Sequence, residues 1–394
     1  MSKIIFLNQS SGKLFTELAE DIANYVDQEC ILSTGSYEVI SQGRIGQLKI
    51  RPAPQYQRNY LFTRLMSWLK YIFDALWFCL SATNEDFLFI VSNPPLTTPL
   101  AWLIKIICGT RYIVLIYDIH PDILVALGKI SAANPITKLW KKINCRAWEN
   151  AVAVITIGDF MASHLEQQFN SSKTNAGRVL VVPVWSDTKL IKPIGKSDNY
   201  FLKELGLSNK KIILYSGNFG ISHDIQSILE ACYLLKDRDD IHFLLIGQGE
   251  KWQDSVHYQQ RNKLDNLSVL PYQPISVYPY SIAAADIALV ALEKEVQSLM
   301  LPSKTFASMA AGSAIVGICG NKNDLHTTII NNRCGICVDP KQPQQLADAL
   351  LEIVDSKKKL EEFKDNSRKA AEFLYSRQAQ QLSFVNIMKN LDVI

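Results

Sequence analysis

The sequence predicts an α/β protein made of two doubly wound units. Three observations carry that expectation. Short apolar runs of strand length alternate with segments of helical spacing along almost the whole chain. The runs are apolar throughout, as in parallel strands covered on both faces. The alternation stops at a polar stretch with two prolines, 183–199 (PVWSDTKLIKPIGKSDN), and then restarts. At 394 residues the chain is too long for one ordinary core, which agrees with two units. The expected division is an N-terminal domain over 1–185, a linker over 186–199, a C-terminal domain over 200–375 and a last helix over 376–394.

In the first domain, residues 3–8 read as a strand and 13–27 as a helix. Between them Asn8-Gln9-Ser10-Ser11-Gly12 is a polar loop ending in glycine. Further strands are expected at 29–33, 86–92, 111–117, 151–157 and 178–182. Residues 60–80 (YLFTRLMSWLKYIFDALWFCL) combine many aromatic and aliphatic residues with Arg64, Lys70 and Asp74. The length suits a membrane span, but charges at a bilayer centre each cost about 2.5–3.5 kcal/mol. A helix lying in the membrane interface and a helix buried in the domain stay open as the two main readings.

In the second domain, strands are expected at 211–215, 241–246, 267–270, 286–291, 314–318 and 335–338. Helices are expected at 223–236, 250–263, 275–284, 302–311, 323–331 and 343–354, with two more in the tail 356–392. Ligands of such sheets gather at the carboxyl ends of strands, and the cleft between two such domains is the natural active site.

Composition narrows the class further. The chain is 48% hydrophobic and 20% charged, as expected of a globular protein. A net charge of +3 gives no argument for nucleic acid. The N-terminus reads as a strand and lacks a signal peptide's apolar region and cleavage site, so the expected location is cytoplasmic. The eight cysteines lie mostly inside apolar patterns, and reduced thiols are expected. Cys334-Gly-Ile-Cys337 is a lone pair with no second pair at zinc spacing, and the six histidines show no ligand spacing. No metal and no cofactor are expected.

Several stretches could carry chemistry. Pro302 is expected to open the 302–311 helix, with Ser303 and Lys304 in its first turn. A lysine there opposes the helix dipole, so its expected use is to meet an anion. After the first strand of this domain come Gly217, Asn218, Phe219, Gly220 and His223, in a loop whose glycines allow close backbone approach to a ligand. Gly247 and Gln248 follow the second strand, and Tyr272 and Gln273 the third, where an aromatic could stack on a base or simply form a surface turn. In the first domain Asp118 and His120 end the strand 111–117, where catalytic groups gather; a helix N-cap by Asp118 or Asp122 is the structural alternative.

The ordered set of Tyr117–Ile130, Val181–Asp187, Tyr215–Gly220, Ile246–Glu250, Leu270–Pro274, Ala285–Val290 and Leu301–Gly312 resembles the retaining glycosyltransferases of family 4 (group 1). Within that family it is most similar to bacterial exopolysaccharide, capsule and O-antigen transferases with a Pro-Ser-Lys element. The resemblance implies the GT-B architecture: two facing Rossmann-like domains with a cleft between them, and a last helix returning to the first domain. It implies a nucleotide-sugar donor held by the second domain and a lipid-linked or saccharide acceptor held by the first. Gly217–Gly220, His223, Pro302, Ser303 and Lys304 would face the donor diphosphate. Gly247, Gln248, Tyr272 and Gln273 would lie at the donor, with Leu270–Gln273 near the base. Gly12 would face the donor across the cleft, and Lys304, Asp118 and His120 would be catalytic.

The chain also departs from the family pattern. Leu299 and Ala307 stand where the family has the two carboxylates of a Glu-x7-Glu element. Asn218 and His223 replace a common Arg and Lys, and Lys304 is the candidate for the missing cation. Tyr117 stands where a His often precedes the Asp, with His120 nearby. The expected activity is transfer of a sugar, with retention and no essential metal, in cell-surface polysaccharide or glycolipid synthesis. On the interfacial reading of residues 60–80, the protein would sit peripherally on the inner face of the cytoplasmic membrane. The alternatives are a nucleotide-sugar epimerase of the same architecture and a non-catalytic partner protein.

Overall fold

The structure is a computed structural model that describes residues 2–57, 60–169 and 179–394. Arg178, first residue of the expected strand 178–182, lies outside the described residues. The chain forms two compact units. The first comprises Met1–Pro183 with Gln380–Ile394, the second Val184–Ala379.

The first unit holds an eight-stranded sheet. Its strands are β1 (Lys3–Leu7), β2 (Glu29–Thr34), β3 (Arg44–Ile45), β4 (Leu48–Pro52), β5 (Phe87–Val91), β6 (Arg111–Ile116), β7 (Ala153–Thr156) and β8 (Leu180–Val181). Their order across the sheet is β3-β4-β2-β1-β5-β6-β7-β8. All pairs are parallel except β3 with β4. The β3–β4 hairpin was not expected from sequence. Its residues mix apolar side chains with Arg44, Lys49 and Arg51, as suits the edge of a sheet. The chain runs from β1 outward to β4 and then returns past β1 to β5. Right-handed crossovers therefore put the helix Lys13–Tyr25 on one face of the sheet. The helices Leu61–Cys79, Thr97–Cys108 and Pro135–Asn150 lie on the other. Phe6, Phe15 and Phe89 pack at centroid distances of 5.5–6.2 Å in the core. Phe384 of the last helix, Arg377–Asn390, joins Phe89 at 6.1 Å.

Residues 60–80 form the single helix Leu61–Cys79. Tyr71, Ala75 and Cys79 on one side of it are fully buried. Among the described residues no helix is long and apolar enough to cross a membrane.

The second unit holds a six-stranded parallel sheet of β9 (Lys211–Asn218), β10 (Ile241–Gln248), β11 (Leu267–Leu270), β12 (Ile287–Ala291), β13 (Ala314–Ile318) and β14 (Gly335–Val338). The order is β11-β10-β9-β12-β13-β14. The chain winds from β9 to β11 in one direction and from β12 to β14 in the other. The switch point lies between β9 and β12, and a ligand crevice is expected outside their carboxyl ends. Residues 186–199 pack onto this unit. Arg368 donates hydrogen bonds to the carbonyls of Thr188 and Ile191, both at 3.0 Å, and Lys196 pairs with Asp286 at 2.5 Å.

Candidate functional site at the switch point of the second unit

β9 ends in Tyr215-Ser216-Gly217-Asn218, and the loop beyond runs to the helix Ile225–Leu234. Asp224 caps that helix by accepting from the Ser227 amide at 3.1 Å. The loop after β12 holds Glu293 and leads to Pro302, Ser303 and Lys304. The two loops are joined across the switch point by backbone: the Glu293 amide donates to the Ser222 carbonyl at 2.8 Å.

Lys304 reaches across the same gap. Its Nζ donates to Tyr215 Oη at 2.8 Å and stands 3.9 Å from the centre of that ring. Tyr215 Oη in turn donates to the Asn218 carbonyl at 2.7 Å. The Lys304 Cε lies 3.2 Å from where a Gly217 Cβ would stand, so the glycine makes room for the lysine. Burial lowers the Lys304 ammonium to about 7. Among the described residues no carboxylate offsets it. The Tyr215 hydroxyl is buried and raised well above its ordinary range, so it stays neutral and keeps its proton.

His223 is buried beside them, and its Nδ1 has no hydrogen-bond partner among the described residues. Burial, with Lys304 and then Lys251 adding positive charge, pushes it down to about 2. It is a neutral group, not an acid, at any working pH.

The structure corrects the expected start of the 302–311 helix and shows what surrounds several of the residues expected at the donor. The helix starts at Lys304 and not at Pro302. Pro302 and Ser303 form a tight turn before it, with the Thr305 amide and hydroxyl both bonded to the Pro302 carbonyl. Pro302 has no N–H, so it is a packing residue, while Ser303 is exposed. The ring of Phe219 is fully buried, 5.1 Å from Tyr215. Its amide donates to the Gln248 carbonyl and its carbonyl accepts from the Lys251 amide, so its ring and backbone tie this loop to the next. Gly247, at φ 155°, serves strand packing: a Cβ there would stand 1.8 Å from the Gly217 carbonyl oxygen. Gly12, at φ −86°, caps the helix Lys13–Tyr25 in open space, so neither backbone nor sterics requires a glycine.

The remaining expected residues fall as follows. Asn218 and Gln248 are exposed at the ends of β9 and β10. A Cβ on Gly220 would crowd Asn218 Nδ2 at 2.8 Å. Tyr272 is half exposed and lies near enough to Tyr215 to raise its hydroxyl further. Gln273 folds back on its own loop, donating to the Pro271 carbonyl at 2.9 Å. Leu299 and Ala307 are buried. Asp118 and His120 belong to the first unit, past the end of β6, and Gly12 lies past the end of β1. Burial raises the Asp118 carboxyl and lowers the His120 imidazole, each opposed by the other's charge. His120 Nδ1 is buried without a partner among the described residues. Asp122 instead is tied to Lys141 at 2.9 Å and His164 at 3.2 Å.

Two site residues escaped the sequence reading. Lys251 donates to the His223 carbonyl at 2.6 Å and to Glu293 Oε1 at 2.8 Å, binding the loops after β9, β10 and β12 together. Their signal was position: each follows a strand's carboxyl end by two or three residues. Among the described residues no group of His, Cys, Asp and Glu could hold a metal ion, and the cysteines are free.

Residues 198–370 match the family described as Glycosyl transferases group 1, a segment inside the second unit. Two bacterial proteins, both provisionally named as glycosyltransferases, are similar in sequence. WbjE of Pseudomonas aeruginosa is 24% identical over 77% of this chain and 74% of its own length. WcaI of Escherichia coli (strain K12), whose name places it in colanic acid biosynthesis, is 27% identical over 54% of this chain and 52% of its own length. The crystal structure of Anabaena HepE in complex with UDP-glucose superposes with a TM-score of 0.74 at 14% identity, covering 99% of this chain and all of that one. Residues 198–370 of this chain thus match the group 1 glycosyltransferases, a retaining family, and its two-unit α/β fold matches GT-B glycosyltransferase structures over the whole chain.

Proposed function

We propose that the protein transfers a sugar, with retention, from a nucleoside diphosphate donor to a hydroxyl of a lipid-linked or saccharide acceptor. The observation that carries this reading is Lys304, a cation with no carboxylate partner among the described residues, held by Tyr215 at the switch point of the second unit. As the bond from the anomeric carbon to the leaving oxygen breaks, negative charge grows on the outer phosphate. A preorganised ammonium in a partly dry site stabilises that charge more than it stabilises the ground state. The open loop Gly217-Asn218, with Gly220, gives the diphosphate room beside Lys304. The half-exposed Tyr272 offers a face on which a base can stack. Asp118 and His120 are the matching candidates for handling the acceptor proton, since their shifts bring a carboxyl up and an imidazole down.

HepE is described with UDP-glucose, so a uridine diphosphate sugar is the first donor to try. A thermal-shift panel of nucleotide-sugars tests the reading, because a ligand that binds only the folded chain raises its midpoint. The donor that shifts it should then release nucleoside diphosphate when a lipid-linked or oligosaccharide acceptor is added. No shift with any donor would sink the proposal. An isomerised donor without acceptor would point to epimerisation instead.

A further inference from the structure

The helices Leu61–Cys79, Thr97–Cys108 and Pro135–Asn150 pack side by side as one layer of the first unit. Their outward side is apolar. Phe62 is 73% exposed, Phe73 68%, Trp77 80%, Ile106 63% and Ile136 74%. On the first helix Phe62, Leu69, Phe73 and Trp77 recur at intervals of seven, four and four residues, opposite the buried Ser67, Tyr71, Ala75 and Cys79. Burial thus accounts for one side of this helix and leaves the other unexplained. A soluble surface rarely gathers so many large apolar groups without a use for them.

Charge identifies the occupant. The three helices carry seven Lys and Arg residues against two acids. Both acids are paired: Asp74 with Arg51 at 2.6 Å and Glu149 with Arg146 at 3.6 Å. Lys70, Lys138 and Lys142 are exposed among the apolar groups. A groove of about 630 Å³, lined by Gln55, Gln57, Phe62, Met66 and Lys70, runs beside the first helix. Exposed aromatics and aliphatics rimmed by unopposed lysines are what an anionic lipid interface takes up, with rings at headgroup depth and ammonium groups on the phosphates.

We propose that this three-helix layer lies flat on the surface of an anionic lipid bilayer. The layer does not cross the bilayer. It seats the first unit at the plane where a lipid-linked acceptor would present its headgroup. The proposal does not rest on the transferase reading, since it uses none of the site residues.

The test is sedimentation of the full chain with vesicles of phosphatidylcholine containing about one third phosphatidylglycerol. The chain should pellet with these vesicles at low salt, and less at about 0.5 M salt, where the Debye length shrinks to roughly 3–5 Å. Lys70→Gln should weaken binding about fivefold, the worth of one basic residue at the surface. Phe73→Ser with Trp77→Ser should weaken it by at least about tenfold. Both residues are largely exposed, so an unchanged thermal midpoint is expected and separates lost docking from lost folding. No pelleting with anionic vesicles, or equal pelleting by the double variant, overturns the proposal. Wild type that dimerises in gel filtration through these residues, and ignores vesicles, overturns it in favour of a second copy of the chain.

Discussion

Lys304 Nζ and Tyr215 Oη are 2.8 Å apart, with the ammonium also 3.9 Å above the Tyr215 ring. The tyrosine therefore fixes the cation twice, by a hydrogen bond and by its π face. Because Tyr215 Oη spends its own proton on the Asn218 carbonyl, it can only accept from the lysine. This sets an order of effects. Lys304→Ala should lower turnover by about 10²–10³, the usual cost of one lost transition-state contact. Tyr215→Phe keeps the ring and removes the acceptor, and should cost about tenfold. Both losses should appear in kcat more than in KM. A near wild-type kcat for purified Lys304→Ala would remove the lysine from the mechanism.

The same lysine predicts a pH dependence. Burial holds the free ammonium at about 7 instead of its ordinary 10.5. A bound diphosphate favours the charged form, so binding above pH 7 takes up a proton. Affinity for nucleoside diphosphate should therefore fall as pH rises from 7 to 9, by up to about tenfold per unit. Calorimetry in two buffers of different ionisation heat should show proton uptake at pH 8. In Lys304→Met the pH slope above 7 should flatten. An unchanged slope in that variant would assign the proton to another group.

Much of this arrangement was legible in the sequence, and what was not has physical causes. The central strands β10, β12 and β13 of the second unit are plain in sequence because they are buried on both faces and read as apolar runs. The hairpin at 44–52 was missed because an edge strand carries charges and loses that signature. Lys304 stands out in sequence by its place in the first turn of a helix, whereas its partner Tyr215 shows only as part of a loop motif. That pairing spans 89 positions, and no local pattern contains it. The packing of Phe219 and Gly247 is not visible in sequence, because a glycine-bearing loop after a strand looks alike whether it packs on a ligand or on the neighbouring loop. Only the third dimension separates the two.

That distinction can be tested on Gly247. A Cβ there meets the Gly217 carbonyl oxygen at 1.8 Å, and φ is 155°. Gly247→Ala must distort two strand ends at once and should destabilise the protein by about 2–4 kcal/mol, with or without ligand. Gly12→Ala is the contrast: φ is −86° and nothing lies within 4 Å of the new methyl. Its cost should stay below about 1 kcal/mol, that of a weaker helix cap. Chemical denaturation of both variants measures this, and equal effects would contradict the packing assignment of Gly247.

His223 predicts how the fold responds to acid. Its imidazole is pushed from 6.5 to about 2 by burial, with the charges of Lys304 and Lys251 adding to the effect. Between those values the unfolded chain binds one more proton than the folded one, so stability falls as pH drops below 6.5 and is untouched above it. The slope is at most about 1.4 kcal/mol per pH unit, which makes roughly 2 kcal/mol between pH 6.5 and 5. His242, lowered to about 4, and His120, also lowered, act in the same direction, so the wild-type loss alone does not isolate His223. The difference between wild type and His223→Asn does. Unfolding free energies from urea titrations at pH 7.5 and 5.0 should lie closer together in the variant by about that amount. Were both proteins to lose the same stability on acidification, His223 would have to be charged or exposed in solution, contrary to its burial here.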